Sequence, residues 1–149
     1  MELTVEHLTP YLPYELKVEG QTRKEIFELC GLDGTIALLV GCGRVDLFDI
    51  KPILRPLSDI NKELFINGNF GFIPAKRIAN EYIHKSNWGK NEIGIGILDK
   101  EGKMINLCFI GNEIVGECPY MVYQKLCEWH FDIFDLIGKG LAVDINTLS

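Results

Sequence analysis

Two periods of apolar and polar positions run along this chain. The longest regular stretch is CPYMVYQKLCEWHFDIFDLIGKG, residues 118–140. A rotation of about 100° per residue from Trp129 gathers Val122, Tyr123, Leu126, Cys127, Ile133, Phe134 and Ile137 on one apolar arc. Gln124, Lys125, Glu128, Asp132, Asp135 and Lys139 fall opposite. Pro119 suits a first helical position, and Gly138 or Gly140 suits the stop. The pattern predicts one amphipathic helix over 119–137, with Leu126, Trp129 and Ile133 buried and the remaining chain packed against it.

The other segments are shorter. Thr4 suits the cap of a helix over 4–12, with Val5, Leu8 and Leu12 facing inward and Pro10 and Pro13 keeping it short. Strands are predicted at 16–18, 25–30, 35–40 and 44–50. Gly31-Leu32-Asp33-Gly34 reads as a hairpin turn and Gly41-Cys42-Gly43 as a second break. The two prolines of KPILRPLSD, residues 51–59, demand an extended path. Ser58 or Asp59 then suits a cap for a helical turn over 61–64. Asn67-Gly68 is a tight-turn dipeptide. Pro74 opens a second helix with Ala75, Ile78, Ala79, Tyr82 and Ile83 as its apolar stripe. The loop Ser86-Asn87-Trp88-Gly89 ends it. Strands follow at 93–98 and 104–110, joined across residues 99–103, with Gly111-Asn112 as another turn and 141–149 as an extended tail. The expected fold is α+β, a single compact domain over 1–149 in which antiparallel hairpins pack on two main helices.

Composition narrows the class. The chain has 149 residues, 47% hydrophobic and 24% charged, so a packed core is expected rather than disorder. A net charge of −6 argues against duplex nucleic acid as the main partner, because phosphate neutralisation needs clustered cations. The five cysteines form no CxxC pair, which fits reduced thiols and a cytoplasmic setting. No apolar run approaches the roughly 20 residues of a membrane-spanning helix, and MELTVEHLTP lacks an apolar signal core, so no membrane partner is expected.

Three blocks carry a resemblance: YLPYELKV (11–18), KPILRPLSDI (51–60) and EWHFDIFDLIGKGLAVDINTL (128–148). Together they resemble an uncharacterised family of small proteins encoded by phages and prophages of Bacteroidota. The likeness runs end to end, with a divergent middle over 61–117. It brings no catalytic residues with it. It implies a phage accessory protein working in a bacterial host cytoplasm.

Candidate chemistry is sparse. His130 falls near the middle of the apolar arc, where a histidine bonded to a backbone carbonyl or buried carboxylate is the plain reading. Asp132 falls on the polar side and, with Glu128, reads as solvated acidic surface. Cys127 and His130 have the spacing of two metal ligands, but the paired short spacings of a zinc site are missing, so no metal or cofactor is expected. No nucleophile elbow, Walker motif or dinucleotide fingerprint occurs.

One constellation points to an anionic ligand. Asn69 and Phe70 precede the helix that Pro74 opens, and Lys76 and Arg77 sit in its first turn, where cations oppose the helix dipole. Arg44 is a candidate further cation and Trp88 a candidate stacking face. The bland alternative is a solvated helix face with Phe70 and Phe72 in the core. The expected function is non-enzymatic: a binding, sequestering or inhibitory factor against a host defence pathway, aimed at a nucleotide-type signal or a host protein. One alternative is a homo-oligomeric interaction module in phage assembly or replication, with Phe131 and Met121 as an apolar seam. Another is a small hydrolase near His130 and Cys127.

Overall fold

Gly34 turns a hairpin early in the chain. In this computed structural model, residues 2–22, 24–65, 71–74, 77, 88–90, 95–98, 104–110, 113–114 and 120–148 are described. Strand β2 (Ile26–Asp33) pairs antiparallel with β3 (Ile36–Leu39), and Asp33 faces Ile36 across two turn residues. Gly34 has φ +61°, a conformation that glycine adopts without a Cβ clash. The turn is therefore later than expected, at 34–35, and Gly31 and Leu32 continue the strand. Leu29 faces Leu39 while Gly31 faces Leu38, so Cys30 is the extra residue of a β-bulge.

The chain divides into two compact units. The first combines residues 1–55 with 127–149 and contains a six-stranded sheet of order β10-β5-β1-β2-β3-β4. Strand β1 is Lys17–Gly20, β4 is Gly43–Asp46, β5 is Ile50–Leu54 and β10 is Val143–Asp144. All neighbours are antiparallel except β5 and β10, which run parallel, so the sheet is mixed. The predicted strand over 44–50 is broken, because a 3-10 turn, Leu47–Asp49, separates β4 from β5. Helix α1 (Val5–Leu8) passes directly into a 3-10 turn, Thr9–Tyr14, as its prolines demand. Leu8, Tyr11, Leu16, Val18, Leu29, Leu54, Phe131 and Leu136 are almost wholly inaccessible and form the centre of this unit's core.

The second unit spans 56–126. It begins with a 3-10 turn, Leu57–Asn61, in which Asp59 is buried and meets Lys62 Nζ at 2.8 Å. Leu64 and Phe72 exchange backbone hydrogen bonds of 2.7 and 3.0 Å, while the predicted turn at Asn67-Gly68 lies outside the described residues. A four-stranded antiparallel sheet follows: β6 (Trp88–Lys90), β7 (Ile95–Leu98), β8 (Met104–Ile110) and β9 (Glu113–Ile114). Helix α2 (Tyr120–Glu128) leads back into the first unit.

The α+β class holds, but the long helix over 119–137 does not. It stops at Glu128. His130 takes φ +62°, and Phe131 forms a parallel bridge with Arg55. Leu126, Trp129 and Ile133 are buried as expected, at 0, 5 and 6% exposure, so the apolar arc was a burial signal carried by two different conformations. Of the second predicted helix, Pro74 and Arg77 are helical and Arg77 N donates to Ile73 O at 3.1 Å; the rest lies outside the described residues.

Candidate functional site

Residues of the three quoted sequence blocks meet in the first unit and bond to one another. Tyr11 Oη donates to Phe131 O at 2.6 Å and accepts from Ile133 N at 3.1 Å. Arg55 N donates to His130 O, and Asp132 N donates to Arg55 O, both at 2.8 Å. Arg55 Nε donates to Trp129 O at 3.1 Å. His130 Nε2 meets Tyr14 O at 2.6 Å, and since a carbonyl only accepts, the proton sits on Nε2. Burial holds the imidazole below its ordinary pKa, with the Tyr14 carbonyl opposing the shift.

Asp132 is a correction to the expected acidic surface. It is 1% exposed. Its two carboxylate oxygens accept from Leu136 N and Ile137 N, each at 2.8 Å, and cap the turn that replaces the helix. Burial raises its pKa, against the lowering effect of those two N–H groups. Cys127 is also sealed in: burial pushes its thiol up to about 12, far from a reactive thiolate. Phe131 is fully buried, so it forms no exposed seam for self-association, and the side chain of Met121 lies outside the described residues. Of the two residues of the hydrolase alternative, His130 thus holds a backbone carbonyl and Cys127 is a buried free thiol. Among the described residues, no three His, Cys, Asp or Glu side chains are grouped to hold a metal ion.

The predicted anion site is only partly visible. Asn69, Phe70 and Lys76 lie outside the described residues. Trp88 belongs to strand β6 rather than to a loop. Arg77 stands 4.1 Å above the ring centre of Phe72, which is buried, so its guanidinium has an aromatic partner within its own unit. Arg44 is on β4 in the other unit, where it meets Asp33 at 3.2 Å.

A second location was not anticipated. A half-open cleft of about 640 Å³ lies in the first unit, between the start of α1, the β2–β3 turn, the 3-10 turn after β4 and the beginning of β5. Leu47 and Ile50 are buried in its wall, while Glu2, Glu6 and Asp46 are exposed around it. Lys51 is the one basic residue of its lining among the described residues. The Glu6 carboxyl is held below its ordinary pKa by its own backbone N–H and then by the Thr4 hydroxyl. Phe48, also in the lining, is 79% exposed. The available signal was LFD at 47–49, where an outward aromatic interrupts the alternation of the expected strand. No protein-family model, curated protein or solved structure matches the chain. No helix among the described residues is long and apolar enough to cross a membrane.

Proposed function

We propose that this chain is a non-enzymatic binding factor, a phage-type accessory protein that acts against a host defence pathway by occupying a host component. The observation that carries the binding reading is the cleft beside Phe48. It combines buried apolar wall, exposed charge and an outward aromatic, the composition of a recognition surface. The buried groups that chemistry would need are engaged elsewhere: His130 holds Tyr14 O, Asp132 holds two backbone N–H groups, and the Cys127 thiol is sealed. The likeness of the three sequence blocks to a phage and prophage family supplies the biological setting of this reading.

The test is affinity purification of the tagged chain from a bacterial host, followed by mass spectrometry of co-purifying proteins and small molecules. A binding factor brings down a stoichiometric partner and releases it unchanged on denaturation. Recovery of a chemically altered product, or turnover lost in His130→Ala with the fold retained, would return the reading to the hydrolase.

A further inference from the structure

The cleft has a charge balance that selects among occupants. Among the described lining residues, three carboxylates, Glu2, Glu6 and Asp46, stand against the ammonium of Lys51. Phosphate-bearing ligands are repelled by that balance. A second copy of the chain, with its net charge of −6 and the same acidic rim, is repelled as well.

The aromatic beside this rim is held in place rather than left on a slack loop. Leu47 N donates to Thr35 O at 2.9 Å, and Ile50 N donates to Leu47 O across the 3-10 turn. Ile50 then enters β5, which is paired with β1. Phe48 is fastened on both sides yet leaves 79% of its surface in water. An exposed, preorganised aromatic buries apolar area on docking with little ordering cost.

We propose that this cleft is the docking surface for a basic segment of a partner protein, one that presents lysine or arginine side chains beside apolar ones. The apolar side chains cover Phe48 and the wall at Leu47 and Ile50, and the cations face the three carboxylates. Desolvation of Phe48 supplies the affinity, and the acidic rim supplies orientation and a salt-dependent association rate. This inference rests on the binding reading above and names the chemistry of its partner.

The experiment uses the full chain and a fluorescein-labelled peptide of alternating lysine and leucine, read by anisotropy over a salt series. Peptides of alternating lysine and serine, and of alternating glutamate and leucine, are the controls. The lysine–leucine peptide is expected to bind, with a dissociation constant that rises about tenfold or more in Phe48→Ala. The triple variant Glu2→Gln, Glu6→Gln, Asp46→Asn should weaken binding and flatten its salt dependence. If the triple variant does not fold, Phe48→Ala, at an outward position, decides alone. Absence of binding, equal binding of the lysine–serine or glutamate–leucine peptide, or unchanged affinity in Phe48→Ala overturns the proposal. Co-purification of a nucleotide in the host experiment would sink this inference and leave the binding reading standing, whereas absence of any partner would remove both.

Discussion

His130 sits in a left-handed conformation that a non-glycine residue adopts at a cost, φ +62°, and the Tyr14 carbonyl anchors its ring there. Its pKa is lowered by burial from an ordinary 6.5. His7 is lowered as well, first by burial and then by Lys139. Both bind protons more weakly folded than unfolded, so their contribution is fully present above 6.5 and is lost as pH falls from there toward the folded values. Asp132, raised by burial above 3.8, works in the opposite sense as pH falls toward 3.8. The urea midpoint should therefore drop between about pH 7.5 and about pH 5.5, and drop less in His130→Asn, whose side chain tolerates the left-handed backbone. A midpoint that rises over this window would contradict the assignment. Tyr11 is a second sensitive residue. Tyr11→Phe strands the buried Phe131 carbonyl and Ile133 N–H together and should cost about 1–3 kcal/mol in denaturant unfolding. A cost near zero would mean that water replaces the hydroxyl.

Helix α2 shows where sequence periodicity stops being a guide to conformation. The arc through Trp129 and Ile133 is real as burial, but Asp132 offers the backbone another set of partners at 136 and 137. That competition involves one side chain and two N–H groups, too local to alter a hydrophobic period. The tight turn at Gly34 was more legible, because glycine marks it chemically; Asn67-Gly68 and Gly111-Asn112 lie outside the described residues. Ile110 does face Glu113 across the last of these. Even so, the Gly34 turn fell later than expected, since the Cys30 bulge shifts the register by one residue. The cleft left only the LFD signal in the sequence: its carboxylates come from residues 2, 6 and 46, which only the fold brings to one place. Two substitutions test these elements. Leu126→Ala, at a fully inaccessible position in α2, should cost about 2–5 kcal/mol. Gly34→Val should cost about 1–2 kcal/mol through its positive φ, with open space around the new side chain excluding a clash as the cause. Unchanged thermal midpoints in either would refute the corresponding local account.

The first unit is closed by chain from both sides of the second. Arg55, the last residue before the excursion, already bonds His130 and Asp132 after it. A chain in which 56–126 is replaced by a short glycine–serine linker should therefore retain a cooperative thermal transition. A flat melt would show that the first unit depends on the excursion for its stability. Native thiol labelling gives a parallel reading: Cys30 and Cys42 are exposed and should react quickly, while Cys127 should stay protected until the first unit unfolds. The return of the chain also sets an order of events during synthesis. When β1 to β5 leave the ribosome, Tyr11 has no carbonyl to bond and β5 has one edge bare, because β10 and residues 127–137 have yet to be translated. The nascent first unit must wait, with apolar surface uncovered, through the synthesis of the whole excursion. A stop codon just before Cys127 would leave it waiting permanently.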